Sequence, residues 1–252
     1  MKQQALCVLA GLALLPAATA MAQWSDNFDS YATGSQLHGQ GGWKGWDNAA
    51  AQGALTSSTQ SISAPNSAAI TAGPGGAYGS DLVHEYSGYS SGQWRYQASL
   101  FIPTNTTGTN TYFILMNKYV DLNPGNVDRW SFELQFNLTT NVAYDDLLGT
   151  GGGPSPGSAS VPIVRNAWIP IRVDIDLSAN TFTSFYNGAP VISGAWTRGQ
   201  AGATSTIGCV DLYGGDASNV YYDDLSLSQI PSPAGAMVLG LGGLLLARRR
   251  RA

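Results

Sequence analysis

The sequence predicts an all-β protein folded as a jelly-roll β-sandwich, and three observations lead there. Apolar and polar residues alternate with period two in several segments of the middle of the chain, the signature of strands with one buried face. Gly, Asn, Asp and Pro punctuate these segments at short intervals, as turns between strands require. No ten-residue stretch of this middle part carries a helical period. Antiparallel sheets with one solvated face account for the alternation, and many short strands separated by turn signals make a sandwich.

Residues 27–31 read as an edge strand, followed by a loop in which Gly39, Gly41, Gly42 and Gly45 interrupt regular structure. Residues 67–71 are the best strand in a stretch of small polar residues. In residues 93–102, Trp94, Tyr96, Ala98, Leu100 and Ile102 share one side, and Pro103 ends the strand. Residues 111–120 form a nearly continuous apolar strand. Residues 129–137 alternate most cleanly, with Trp130, Phe132, Leu134 and Phe136 opposed to Ser131, Glu133 and Gln135.

The Gly- and Pro-rich residues 149–157 are a loop, because strand patterns resume directly after them. Residues 168–177 set Ile169, Ile171, Val173, Ile175 and Leu177 against Arg172, Asp174 and Asp176. Residues 182–186 and 189–192 flank Asn187-Gly188, a pair suited to the positive φ angles of a tight hairpin. Residues 207–213 and 220–227 complete the set.

Both ends read as targeting segments. Lys2, the apolar residues 5–15 and the small residues at 18–20 and 20–22 make residues 1–22 a cleavable signal peptide. At the other end, residues 230–252 combine Pro231-Ser232-Pro233, fourteen apolar residues (234–247) and Arg248, Arg249, Arg250 and Arg251. A helix over 234–247 spans roughly 21 Å, short of the roughly 30 Å hydrocarbon core. Arginine snorkelling and bilayer thinning let such a short transmembrane helix insert, and the arginines favour the cytoplasmic side.

Residues 24–229 then form one domain. This domain holds seven basic residues against sixteen acidic ones, a balance that argues against nucleic acid and anionic membrane surfaces as partners. With Cys7 in the signal peptide, Cys209 is the remaining thiol. Ile207 and Val210 beside it suit a small buried residue.

Candidate chemistry is sparse. His38 and His84 are the only histidines, and no nucleophile elbow, phosphate loop or dinucleotide fingerprint occurs. Trp43 and Trp46 on the Gly-rich loop either stack on sugar rings or fold inward to plug one end of the sandwich. Asp26 and Asp29 near the first strand, with Asp223 and Asp224 in the last, either gather a Ca²⁺ ion or cap turns. Asp145-Asp146, and Asp121 with Asn123, Asn126 and Asp128, are weaker calcium candidates. Asp174 and Asp176 are neighbours on one strand face, but Arg172 beside them holds them ionised, and a solvated face is the plainer account. Glu133 has Gln135 where the acidic partner of a glycosidase would stand.

The tail resembles the PEP-CTERM sorting signal of bacterial exported proteins, with Pro231-Ser232-Pro233 where Pro-Glu-Pro is usual. That resemblance implies export, transient membrane anchoring, processing by an exosortase-type enzyme, and delivery to the cell surface or extracellular matrix. The domain resembles the concanavalin A-like lectin/glucanase superfamily. The residues that carry this are Asp26-Asn27-Phe28-Asp29-Ser30-Tyr31 with Gln40-Gly41-Gly42-Trp43, then residues 168–177 leading to Tyr186-Asn187-Gly188, and the closing residues 220–227. It implies that the first and last strands lie side by side and that Ca²⁺ braces this region. The expected function is an exported, surface-sorted, non-catalytic lectin-like protein that binds polysaccharide or builds the matrix. The alternatives are a structural envelope component without a ligand and a divergent glycoside hydrolase.

Overall fold

In the computed structural model, residues 22–73 and 79–231 are described. Of the segments read as a signal peptide and a sorting tail, residues 1–21 and 232–252, with Ser232, Pro233 and the arginine cluster, lie outside the described residues. Among the described residues no helix is long and apolar enough to cross a membrane.

Two antiparallel sheets face each other. The eight-stranded sheet runs β13 (Ala189–Ala195), β12 (Thr181–Tyr186), β11 (Trp168–Asp176), β6 (Gln93–Phe101), β15 (Val220–Gln229), β4 (Ser67–Ile70) and β3 (Leu55–Ser57). Its eighth strand, β1 (Ala22–Asp26), pairs with the second half of β15. The first and last strands therefore lie side by side, as the resemblance implies. The seven-stranded sheet runs β10 (Val161–Pro162), β9 (Val142–Asp145), β8 (Arg129–Asn137), β7 (Asn110–Lys118), β14 (Cys209–Tyr213), β5 (Asp81–Glu85) and β2 (Trp43–Gly45).

The strong alternations become long strands with the predicted faces, except that an irregularity in the β7–β8 pairing turns Trp130 away from Phe132, Leu134 and Phe136 to the outward side. In β6, Trp94, Tyr96, Ala98 and Leu100 are buried, and in β11 so are Ile169, Ile171, Val173 and Ile175. Asn187 (φ 50°) and Gly188 (φ 76°) make the β12–β13 turn, the left-handed pair that a two-residue hairpin needs. Rings bridge the two sheets: Phe113 lies 5.7 Å from Tyr96 and 6.3 Å from Tyr222, and Phe136 lies 5.3 Å from Tyr186. Such contacts fill the roughly 10 Å between packed sheets.

Residues 27–31 are not an edge strand. The Asp26 carboxylate accepts the Phe28 N–H at 2.8 Å and turns the chain, with Phe28 at φ 61°. The strand is instead the preceding five residues, β1. Five short strands (β2, β3, β5, β9 and β10) have no clear counterpart in the sequence pattern, because runs of two to five residues are too brief to show a period.

One ion pair is buried deep. Arg198, 4% exposed, meets Asp145, 0% exposed, at 2.8 Å. It joins the end of β9 to the turn after β13, and Asp145 also accepts the Glu133 N–H. Removing one member of a buried pair strands the other charge. Arg198→Met should therefore destabilise the domain by about 3–5 kcal/mol, and Arg198→Met with Asp145→Asn should recover much of that loss. Urea denaturation of both variants measures it, and equal losses would show that the pair itself is not what Asp145 needs.

Candidate functional site

The outward face of the seven-stranded sheet carries the chemistry. Its inward residues, among them Phe113, Leu115, Phe132, Leu134 and Leu212, belong to the core shared with the other sheet. Strand alternation turns their neighbours the other way. There Val83, Ile114, Met116, Tyr119 and Cys209 form a second buried cluster, flanked by Trp46, Tyr112, Trp130 and Tyr213.

Strand register arranges this face in rows. One row reads Asp81, Tyr213, Tyr112, Gln135 and Tyr144 across β5, β14, β7, β8 and β9. The Tyr112 and Tyr213 rings stack at 5.5 Å, and Gln135 Nε2 donates to the Tyr112 hydroxyl at 2.8 Å. The next row reads Lys44, Val83, Asp211, Ile114 and Glu133. Asp146 follows, its N–H donating to the Glu133 carbonyl at 3.2 Å.

Four carboxyls thus gather on one face, from strands whose sequence positions are widely separated. Burial raises the Glu133 carboxyl to about 8, helped by the charges of Asp146 and Asp145. Burial likewise raises Asp146 to about 7, helped by Asp145. Asp211 is pushed well up by burial and then by the charge of Asp81, to which it donates a hydrogen bond. Asp81 is raised to about 6 by burial, against the hydrogen bond from Asp211. One proton held between two close carboxyls is the expected result, because like charges there cannot both ionise cheaply.

An aromatic end closes this face. The Trp46 and Trp130 rings stack at 6.4 Å and 16°, and Tyr119 packs edge-on to Trp46 at 4.8 Å. The Asp47 N–H donates to the Tyr119 hydroxyl, and Asp47 accepts the Leu122 N–H. These bonds clamp the turn after β2 to the loop after β7. Lys44 is engaged by Asp121 at 2.6 Å and by Glu85.

The predicted site residues are dispersed. Trp43 is 1% exposed and packs against Phe28 and His84, its indole N–H on Asp26. It is a core residue, so the sugar-stacking expectation fails for Trp43, whose ring has no free face. Trp46 is half-buried on the aromatic end of the outward face. Asp26 and Asp29 do approach Asp223 and Asp224 through the β1–β15 pairing.

The calcium expectation does not fit these carboxylates, however. Asp26 accepts from Phe28 N, the Tyr31 hydroxyl and Trp43 Nε1. Asp29 accepts from Asn66 N and Asn27 Nδ2, and Asp223 from Ile62 N and Asp224 N. Oxygens filled by N–H and O–H donors are turn anchors rather than ligands. Among the described residues no group of three or more His, Cys, Asp or Glu side chains is arranged to hold a metal ion. Of the weaker calcium candidates, Asp145 meets Arg198, Asp128 accepts the Val120 N–H through one oxygen, and Asn123 accepts two backbone N–H groups, while Asp146 keeps one oxygen without a donor.

On the opposite outer face, Asp174 takes two hydrogen bonds from Arg95, at 2.6 and 3.0 Å, and Asp176 takes one from Gln93. They are structural partners, not a reacting pair. Cys209 is fully buried, and burial pushes its thiol well up.

The fold is an all-β, two-sheet antiparallel sandwich. Solved structures similar to it include an endo-1,3-β-glucanase from Streptomyces sioyaensis, with TM-score 0.56 and 16% identity over 86% of this chain and 99% of that one. An alginate lyase is similar at TM-score 0.52 and 16% identity, over 82% of this chain and 96% of that one. No protein-family model and no curated protein matches the chain.

The raised carboxyls set a pH dependence. A folded-state pKa above the unfolded value means that the native state holds extra protons, so stability falls as pH rises between the two values. For Glu133 that window runs from its ordinary value of 4.5 to about 8. Glu133→Gln should raise the melting temperature at pH 8 by several degrees, since each kcal/mol moves a domain of this size by roughly 2–4 °C. It should also flatten the decline seen on going up from pH 5. A variant that melts lower than wild type at pH 8 would show that the carboxylate is not strained.

Proposed function

We propose that the protein is an exported, surface-sorted, non-catalytic glycan-binding protein, and that its ligand lies on the outward face of the seven-stranded sheet. The observation that carries this reading is the pairing, on one sheet face, of aromatic rings with hydrogen-bonding side chains. Trp46, Trp130, Tyr112 and Tyr213 supply flat surfaces for the C–H faces of sugar rings. Gln135, Asp81, Glu133 and Asp146 supply polar partners for hydroxyls. The similarity of the sandwich to an endo-1,3-β-glucanase and an alginate lyase supports a polysaccharide partner.

The sequence of the two ends supports the rest. A cleaved signal peptide takes the chain through the export machinery, and the PEP-CTERM-like tail holds it in the membrane for an exosortase-type enzyme before release to the surface or matrix.

Glycoside cleavage is a second reading with one observation in its favour: Glu133 keeps its proton near neutral pH, as a general acid must. Reducing ends released from a glucan by wild type and not by Glu133→Gln would select it over simple binding.

A glycan array probed with the full chain tests the main reading. Trp46→Ala and Trp130→Ala should each weaken binding of the captured glycan about tenfold, the equivalent of about 1.4 kcal/mol. Uniformly blank wells for a folded protein would reject glycan binding.

A further inference from the structure

Four buried acceptor oxygens on the outward face of the seven-stranded sheet lack a donor among the described residues: Asp81 Oδ1, Asp211 Oδ1, Gln135 Oε1 and Asp146 Oδ1. The proton shared by Asp81 and Asp211 can serve the first two. Gln135, only 5% exposed, and Asp146 still lack one. Gln135 is neutral and has already spent its amide nitrogen on Tyr112, so its oxygen marks the same deficiency independently of charge. A buried acceptor without a donor costs about 1–3 kcal/mol, so two remaining on one face indicate what is missing there.

Cations are missing too. Among the described residues no ion pair reaches Asp81, Asp211, Glu133 or Asp146. Lys44, in the same row, is held by Asp121 and Glu85. Arg129, at the edge, donates to the carbonyls of Ala201, Asn126 and Asp128. No group of three of these side chains is placed to share a metal ion, so the missing partner is a larger donor-rich cation.

We propose that the glycan bound on this face carries free amino groups, its ammonium N–H donors directed to Asp146, Glu133 and the Asp81–Asp211 pair and its rings stacked against Tyr112, Tyr213, Trp46 and Trp130. This deepens the glycan-binding reading and rests on it. It also sets an exclusion: a polyuronate brings carboxylates against carboxylates, and like charges in a desolvated site repel.

Calorimetry with the full chain at neutral pH, where Asp81 and Asp146 can ionise, tests this with four probes of matched length. These are a glucosamine tetrasaccharide, its N-acetylated counterpart, a β-1,3-glucan tetrasaccharide and an alginate tetrasaccharide. The glucosamine probe should bind at least about tenfold tighter than the N-acetylated one, and the alginate probe should not bind. Asp146→Asn and Glu133→Gln should each narrow that tenfold ratio, which keeps the test independent of whether Asp211→Asn folds. N-acetylated, neutral or alginate probes binding as tightly as glucosamine would overturn the amino-glycan inference and leave glycan binding standing. No binding of any probe by folded wild type would overturn both.

Discussion

The constraint on which the rest of the molecule depends is the seating of the last strand in the middle of a sheet. β15 pairs with β6 along one edge, and with β4 and then β1 along the other. A bulge at Asp223 and Asp224 (φ 48° at Asp224) lets one strand serve two partners on the same edge. Asp223 then accepts the Ile62 N–H and fixes the chain before β4. Inward, Tyr222, Leu225 and Leu227 enter the core. The Tyr222 hydroxyl donates to the Tyr112 carbonyl at 3.2 Å, and so holds β7 against the opposite sheet. Tyr112 and Ile114, the middle of the outward face, are placed by that contact.

The two outer faces of the sandwich treat carboxyls in opposite ways. On the eight-stranded sheet Asp174 is matched by Arg95 and approached by Arg172 at 3.5 Å, whose guanidinium lies over Phe185. On the seven-stranded sheet the acids are buried beside one another with no matching cation among the described residues. The first arrangement adds a little stability at a wet surface. The second opposes stability, and clusters of that kind belong to sites that act on something else.

The long strands were legible because nine or ten residues repeat the period several times, as Phe132, Leu134 and Phe136 against Ser131, Glu133 and Gln135 show. Short strands such as β2 and β5 gain their conformation from neighbours, so nothing local announces them. The site was harder still. Asp81, Glu133 and Asp211 sit on three strands, each separated by more than forty residues, and each alone looks like one polar residue of an alternating run. Asp211 did leave a trace, as an acid inside the otherwise apolar Cys-Val-Asp-Leu-Tyr. The tryptophans divide by strand parity and turn geometry: Trp43 lies within β2 and faces inward, while Trp46 follows Gly45 into a 3-10 turn and lies on the outward face. Asp26, Asp29 and Asp223 illustrate a limit of composition: oxygens already filled by local donors cannot be told from free ones in a sequence.

The central position of β15 has a consequence for the order of assembly. Its partners β1, β4 and β6 lie roughly 120 to 200 residues earlier, so the eight-stranded sheet has a gap at its centre until the end of the domain is available. Contacts of such long range form late and slowly. A chain that emerges from its N-terminus stays unable to complete this sheet until its last strand has emerged. The topology thus delays completion of the eight-stranded sheet until the last strand of the domain is free to insert between β6 on one side and β4 and β1 on the other.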